Sequence, residues 1–460
     1  MKQTPIHDNY NAELLALVPR DAPRVVEVGC SSGALARAYR KLNPRCEYTG
    51  IEIDPDYADV ARAHCSRVLV GNIEQMSDAE FASLLPADCW IFGDVLEHLY
   101  DPWSALRRIR AASRPGATIV ACIPNAQHWS VQLRMNSGEF RYEDSGLLDR
   151  THIRWFTNKT IGHLFRSTGF DIVEGGGRVL RESYRDAMLE GVRAMATAIG
   201  GDPEAAAGDA TPFQWLVRAV VHDADRRDDP GPAQIGQTAL RDYCNPSVLA
   251  LIPRDATRIV EVGCDGGAMA REYRKINPAC DYVGIEIEPT YAEASRKHCT
   301  DVLTGNIEHL SNDVFGALFP SSCWVFSGTL ARLHDPWSVL RRIRQALPAD
   351  ASVIACVPNA QHSSIQMRLN SGEFWYEDGG LRDRKHIRWF TKTTLTELFR
   401  TTGFEIVEGG GLVADELPQQ RALDGVRALA EVAEIDDEEA VANAIPMQWV
   451  VRATPAPQED

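Results

Sequence analysis

The stretch Val25-Val26-Glu27-Val28-Gly29-Cys30-Ser31-Ser32-Gly33-Ala34-Leu35-Ala36-Arg37-Ala38-Tyr39-Arg40 decides the reading of this chain. Its start is a short apolar run rich in β-branched residues and ended by Gly29, which predicts a buried parallel strand. From Gly33 onward apolar residues recur at helical spacing until Pro44 stops them. Strand, glycine turn and helix in that order open a doubly wound α/β sheet, whose ligands bind beyond the carboxyl ends of the strands. The glycines permit the tight turn and let a ligand approach the backbone.

The same stretch returns as IVEVGCDGGAMAREYRKINP from Ile259, 234 residues after Val25. The repeat persists far downstream, since Trp215 in PFQWLVRA returns as Trp449 in PMQWVVRA at the same separation. So long a period is a duplicated domain, not a solenoid. Between the copies, Asp223 to Ala239 is charged and then rich in Pro, Gly and Gln, which reads as a linker. The expected organisation is therefore 1–222 as the first domain, 223–241 as linker and 242–460 as the second domain.

Within the first copy, EYTGIEID, SRVLVGNIE, CWIFGDVLEH, PGATIVACIPN, FDIVEGG and PFQWLVRAVV supply further strands. PDYADVARAHC is a helix that starts with proline. The expected fold class is α/β: two tandem Rossmann-like domains, each a mostly parallel doubly wound sheet. Arg181 to Ile199 reads as a helical insertion before the final strand.

Composition narrows the function classes. The 460 residues carry 48 Lys and Arg against 64 Asp and Glu, a net charge of −16, which argues against nucleic acid as the default partner. No stretch is long and apolar enough to span a membrane, and the N-terminus shows no basic start followed by an apolar run. The 11 cysteines are scattered without a C-x-x-C pair, which fits small buried hydrophobes in a reducing compartment. A cytoplasmic protein is the expectation.

The turn itself points to a nucleoside. Glu52 closes the second strand 23 residues after Gly29, a spacing that suits a carboxylate accepting from both hydroxyls of a ribose. The set is repeated as Gly263, Gly267 and Glu286. A dinucleotide site would want G-x-G-x-x-G, whereas this turn is G-x-x-x-G with Ser31 in the middle and Glu27 two residues ahead. An acid there is awkward beside phosphate and suits a ligand bearing an ammonium or sulfonium.

With EVGCSSG, GIEID, VGNIE, FGDVLEHL followed by Asp101-Pro102, and IPN, the chain resembles the class I S-adenosylmethionine-dependent methyltransferases, of the UbiG-like group and of methyltransferase types 11, 12 and 23. The resemblance covers nearly all of the first copy and, more weakly, the second. It implies S-adenosylmethionine as cofactor, with Glu27, Gly29, Ser31, Gly33 and Asp94 toward the methionine end, Glu52 on the ribose, and Asn72 with Ile73 beside the adenine. Two departures stand out: the usual second glycine of the turn is Ser31 (Asp265 in copy two), and the usual acid at the adenine is Asn72 (Asn306).

After the fourth strand comes Gly93-Asp94-Val95-Leu96-Glu97-His98. If a helix starts there, Asp94, Glu97 and His98 fall on one face, able to bind a divalent metal or move a proton. With His152 further on, this D-x-x-E-H…H set resembles the E-x-x-E-H…H set of metal-dependent quinone-pathway O-methyltransferases and of small-RNA 2′-O-methyltransferases. The resemblance puts Asp94, Glu97, His98 and His152 around one cation, magnesium or manganese. Such a cation would chelate two neighbouring oxygens of the acceptor and lower the pKa of its hydroxyl. Two other readings stay open: His98 as a general base without metal, and carboxylates that merely face a helix dipole.

The second copy keeps its cofactor glycines and Glu286, but Asp94 becomes Gly328, Glu97 becomes Ala331 and His98 becomes Arg332, while His152 persists as His386. Gly, Ala and Arg cannot hold a cation. The first domain is therefore expected to catalyse and the second to be a degenerate, non-catalytic partner. Pro124-Asn125-Ala126-Gln127-His128-Trp129, with Phe140, Tyr142 and Asp149-Arg150 beyond, resembles methyltransferases encoded with glycosyltransferases in bacterial surface-polysaccharide clusters. That likeness implies a sugar or glycan hydroxyl as acceptor, and a small molecule is the other class. Trp129 and Tyr142 either stack on the acceptor or pack structurally. Trp129 becomes Ser363 in copy two.

The reading is thus an O-methylating enzyme. The alternatives are a non-catalytic S-adenosylmethionine or S-adenosylhomocysteine binding scaffold, and a nicotinamide oxidoreductase. Duplicated domains on a short linker often reproduce an ancestral dimer, so an intrachain pseudo-dimer is expected, monomeric or loosely dimeric overall.

Overall fold

The computed structural model describes residues 9–221, 242–414 and 419–457. The segment expected as linker lies outside the described residues. Contacts divide the described chain into two compact units. Among the described residues, one gathers 9–133, 142–221 and Met367–Trp375, the other Arg134–Arg141, 242–366, 376–414 and 419–457.

The strands of the first unit are β1 (Arg24–Val28), β2 (Glu47–Glu52), β3 (Arg67–Val70), β4 (Cys89–Gly93), β5 (Thr118–Pro124), β6 (Phe170–Arg178) and β7 (Gln214–Val221). They form one sheet in the order β3-β2-β1-β4-β5-β7-β6. The pairs from β3 through β5 are parallel, and β7 runs antiparallel between β5 and β6. The α/β expectation holds, with the antiparallel strand as the one departure from a wholly parallel sheet.

Each central strand is apolar because helices cover both sheet faces. In β4 the four residues Cys89, Trp90, Ile91 and Phe92 are all buried. Removing Trp90 or Phe92 from water contributes on the order of 2–3 kcal/mol each. The crossover helices start where local chemistry satisfies their first amides. Asp54 caps the helix Pro55–Ala61, and Asp101 caps Pro102–Ala112, each with proline at the first turn. The predicted insertion is present as a helix over Arg185–Ala198, joined by a second over Pro203–Ala210.

The second unit repeats the plan with β8 (Arg258–Val262), β9 (Asp281–Glu286), β10 (Asp301–Thr304), β11 (Cys323–Ser327), β12 (Ser352–Pro358), β13 (Phe404–Leu412) and β14 (Gln448–Pro455), in the order β10-β9-β8-β11-β12-β14-β13. In each sheet the chain order reverses beside the first strand. In the first unit β2 pairs with one side of β1 and β4 with the other. The carboxyl ends of β1 and β4 flank that switch point, which is where an open α/β sheet takes its ligand.

Candidate active site

The glycine turn leaves β1 at the switch point. Gly29 and Gly33 both have positive φ, +69° and +76°. A side chain at Gly29 would strike Val95 Cγ2 at 2.6 Å, and one at Gly33 would meet the Ala61 backbone at 3.1 Å. Both positions therefore require glycine for conformation and for space. Ser31 also sits in the left-handed region, at φ +46°, as does Asp265 at +44° in the second unit. The turn keeps the backbone shape of a glycine where neither copy has one, and it carries the strain of doing so.

Glu52 is buried and pins this turn to β2. Its Oε2 accepts from the Ser31 amide at 2.7 Å, and its Oε1 accepts from the amides of Ile53 and Asp54 at 2.9 and 3.0 Å. Of the roughly four lone-pair sites of a carboxylate, these bonds occupy both on Oε1 and one on Oε2, so Oε2 retains one. Glu27 is buried one strand away and accepts from the Tyr48 hydroxyl at 2.9 Å. Burial first, and the neighbouring Cys65 second, push its carboxyl well above the ordinary range. Asn72 follows β3 and uses its own Oδ1 to cap the Glu74 amide, with the buried Ile73 beside it. These residues lie on the loops after β1, β2 and β3, along one edge of the sheet.

The segment after β4 departs from expectation. Gly93 and Asp94 do not open an α-helix: Asp94 takes φ +56°, and only Leu96–His98 form a tight 3₁₀ turn. Asp94, Glu97 and His98 therefore do not share a helical face. Asp94 Oδ1 instead accepts from Gln214 Nε2 at 2.5 Å, with Gln214 at the start of β7 opposite Pro124. Desolvation pushes the Asp94 carboxyl up to about 6. Gln214 was not anticipated. Its signal in the sequence is its return as Gln448 beside the repeated tryptophan.

Three of the four expected residues do converge. Ligand atoms of Glu97, His98 and His152 lie within 4.8 Å of one another. His98 Nε2 is 3.9 Å and His152 Nε2 3.8 Å from Glu97 Oε1. Each histidine has Nδ1 at 3.0 Å from a backbone carbonyl, Thr151 for His98 and Leu147 for His152. A carbonyl only accepts, so each Nδ1 carries a proton, and burial, which lowers the His98 imidazole, leaves that ring neutral with its lone pair on Nε2. Glu97 is 1% exposed, and neither of its carboxylate oxygens has a hydrogen-bond partner. A buried carboxylate with neither oxygen partnered is costly unless a cation or a proton joins it. Desolvation, then the charge of Asp94, holds the Glu97 carboxyl well above its usual range, and burial lowers the His98 imidazole. Backbone-bonded Nδ1 on both rings is the tautomer a metal-binding histidine needs.

The second unit shows that the fold does not require the Glu97 side chain. The Glu97 carbonyl accepts from the Ile153 and Arg154 amides, both at 2.9 Å. At the matching position the Ala331 carbonyl accepts from Ile387 and Arg388 at 2.8 and 2.9 Å. The backbone anchor survives while the carboxylate is gone. Arg332, in place of His98, lies 3.6 Å from Asp383, and Gly328 takes the strained position of Asp94 at φ +88°.

On the acceptor side, His128 is fully buried at the end of β5. Its Nδ1 accepts from the Ser130 amide, and its Nε2 lies 3.4 Å from Glu182 Oε2, to which Trp129 Nε1 donates at 3.0 Å. Trp129 packs on the apolar cluster of the inserted helices, which includes Leu189, Val192 and Ala207. That contact gives Trp129 a structural role. Tyr142 lies on the loop that follows.

With this geometry in view, comparison with known proteins supplies the class. The family model of the methyltransferase domain matches residues 6–175 and again 237–409, and the chain belongs to that family, in both copies. Among curated relatives, the ubiquinone biosynthesis O-methyltransferase of Xanthomonas campestris is 30% identical over 121 residues, 25% of this chain and 47% of that protein. The protein of the same name from Cereibacter sphaeroides is 24% identical over 174 residues, 37% of this chain and 69% of the relative. The chain thus spans about half the length of the first of these relatives. Similar solved structures include human N-acetylserotonin methyltransferase in complex with SAM, at 18% identity and a TM-score of 0.30 over 46% of this chain and 51% of that one. Another is an S-adenosylmethionine dependent methyltransferase from Mesorhizobium loti, at 18% identity and a TM-score of 0.30 over 45% of this chain and 95% of that one. Among the described residues no helix is long and apolar enough to cross a membrane.

Proposed function

We propose that the first copy transfers a methyl group from S-adenosylmethionine to a hydroxyl oxygen of a small molecule or glycan, and that the second copy is a non-catalytic partner. The observation that carries this reading is the buried, unpartnered Glu97 carboxylate between the Nε2 atoms of His98 and His152. Membership of the methyltransferase family and the O-methyltransferase names of the curated relatives support it.

The cofactor rests on the turn after β1. Glu52 would take a ribose hydroxyl with the one lone pair, on Oε2, left by its three amide bonds. Asn72 and Ile73 would lie beside the adenine, and a sulfonium near Glu27 would draw its burial-raised carboxyl back toward the charged form, a gain that a neutral sulfur does not offer. The acceptor oxygen attacks the methyl carbon in line with the departing sulfur. The products are a methyl ether, S-adenosylhomocysteine and one proton. Most of the rate comes from positioning and from excluding water around the cation.

Glu97, His98 and His152 would hold a divalent metal, and their donor set of one carboxylate and two correctly tautomerised imidazoles fits one. When bound, such an ion supplies a Lewis acid that lowers the pKa of the acceptor hydroxyl. Asp94 stands outside this ligand set, held by Gln214. A second reading has its own support: burial keeps His98 neutral, so its Nε2 can take the hydroxyl proton without a metal. In both readings Glu97 is the charge that stabilises the cation formed at the centre.

The test is production of S-adenosylhomocysteine from S-adenosylmethionine with panels of vicinal diphenols and of sugars, with added manganese or with chelator. Turnover that needs manganese favours the first reading, and turnover indifferent to chelator favours the second. A chain that binds S-adenosylmethionine but turns over no hydroxyl acceptor, while Glu97→Gln leaves binding unchanged, would point to the scaffold alternative.

A further inference from the structure

Behind the turn lies a pair of thiols that methyl transfer does not use. Cys30 is part of the turn itself, between Gly29 and Ser31, and Cys65 follows the helix that ends at Ala61. Both are buried and both are free. They meet over Gly50 of β2: a side chain at Gly50 would lie 2.5 Å from Cys30 Sγ and 3.3 Å from Cys65 Sγ. The glycine is what leaves room for two sulfurs on that face. The second unit repeats the arrangement, with Gly284 facing Cys264 Sγ at 2.6 Å and Cys299 Sγ at 3.3 Å. Cys46, Cys89 and Cys122 are buried as well, but among the described residues none of them is a nearest neighbour of a glycine face.

We propose that Cys30 and Cys65, and in the second unit Cys264 and Cys299, are oxidisable dithiols whose disulfide would deform the nucleoside turn and weaken cofactor binding. The placement gives the coupling. Ser31, next to Cys30, donates its amide to Glu52, and Cys65 lies close enough to Glu27 to influence its charge. A covalent bond between the two sulfurs would draw the turn toward the helix end and shift both carboxylates that the cofactor needs. The link to cofactor binding rests on the proposed function above; the dithiol itself does not.

The chemistry balances with a peroxide as oxidant. Cys65 is taken as the attacking sulfur, because the Cys30 thiol lies 3.9 Å from the Ser31 carbonyl, which as an acceptor favours the protonated form of Cys30. The Cys65 thiolate displaces hydroxide from hydrogen peroxide and becomes a sulfenic acid. Cys30 sulfur then attacks the Cys65 sulfur, the S–O bond breaks and water leaves. Overall two thiols lose two electrons and two protons, and one peroxide becomes two waters.

The full chain is treated with stoichiometric hydrogen peroxide, then digested and mapped without reduction. In parallel, S-adenosylhomocysteine affinity is measured by calorimetry before oxidation, after it, and after dithiothreitol. The expected result is a peptide pair linking Cys30 to Cys65, with affinity falling about tenfold or more and recovering on reduction. Cys65→Ala and Cys65→Ser should keep their affinity through the same treatment. Oxidation that leaves these two thiols unlinked while others react would overturn the proposal, as would a linked protein with unchanged affinity. A reduced chain that binds no S-adenosylhomocysteine would sink the cofactor reading instead, and the peptide map would still decide on the dithiol.

Discussion

Glu97 Oε1 stands 3.8 Å from His152 Nε2, and neither oxygen of this buried carboxylate has a hydrogen-bond partner. An ionised carboxylate in such surroundings is uphill by several kcal/mol unless a positive charge joins it. The backbone of the same residue does structural work that Ala331 performs equally well in the second copy. The fold therefore does not need the side chain, in keeping with the chemical role proposed for it.

Glu97→Gln tests that assignment. The amide is nearly isosteric, and it removes a charge that burial already disfavours. Folding stability should change by no more than about 1 kcal/mol. Turnover should fall by about 100-fold or more, in the range lost when a group acting directly on the reacting atoms is removed. Manganese should raise the melting temperature of the native chain and not that of the variant. A variant that turns over at the native rate would remove Glu97 from the mechanism.

The same substitution decides which copy works. The second unit has Gly328, Ala331 and Arg332 where the first has Asp94, Glu97 and His98. If the first unit alone is catalytic, Glu97→Gln in the full chain leaves no second source of product. Introducing Ala331→Glu with Arg332→His into the Glu97→Gln chain should restore a manganese-dependent shift, because His386 already has Nδ1 at 3.2 Å from the Leu381 carbonyl. Substantial product from the Glu97→Gln chain, with its second unit untouched, would show that the second unit catalyses after all.

Asp94 carries strain that Gly328 avoids. A non-glycine residue at φ +56° costs about 1 kcal/mol or more. Its carboxyl is also raised to about 6, chiefly by desolvation. The folded state thus holds a proton that the unfolded state releases near pH 4, so stability is full below that pH and declines as pH rises through the window up to about 6. Discounted for the half-buried position, the decline is about 1 kcal/mol. Asp94→Asn should abolish this slope, and Asp94→Gly should abolish it and add about 1 kcal/mol from relief of strain. Urea unfolding at pH 4.5 and 7.5 reads both. An unchanged slope in Asp94→Asn would show that Asp94 is not the titrating group.

Much of this site was legible in the sequence, and the exceptions have physical causes. The turn from Gly29 to Gly33 announces itself because glycine at those positions answers to local sterics. The succession of strands along the chain follows from recurring apolar runs, whereas their order in the sheet comes from the structure. The convergence of Glu97, His98 and His152 could be read only through resemblance, since 152 joins 97 and 98 through a long loop. The geometry of Asp94 was missed because a left-handed aspartate after a strand leaves no periodic trace. Gln214 was missed because it arrives from β7, the strand that runs against the others. The thiol pair was hidden for a similar reason: Cys30 and Cys65 are separated in sequence by β2, whose Gly50 lets them meet.

The acid limb of stability should belong largely to His128 and its counterpart His362. Both rings are buried, and burial lowers each imidazole to about 4. Glu182 lies 3.4 Å from His128 Nε2 and would favour the charged ring, yet desolvation of a fully enclosed imidazole outweighs it. The Ser130 amide donates to Nδ1, so protonation there would also break a hydrogen bond. An unfolded histidine takes up its proton near pH 6.5, whereas the folded ones wait until about 4. The unfolded state therefore binds more protons across that interval, and stability is full above pH 6.5 and lost as pH falls toward 4. Each histidine contributes about 3 kcal/mol to the loss. His128→Asn combined with His362→Asn will lower stability at pH 7.5 through lost packing, so the slope is the quantity to measure. Urea midpoints between pH 7 and 4.5 should fall much less steeply in the double variant than in the native chain. Parallel curves for the two proteins would mean that these histidines are not the groups whose protonation unfolds it.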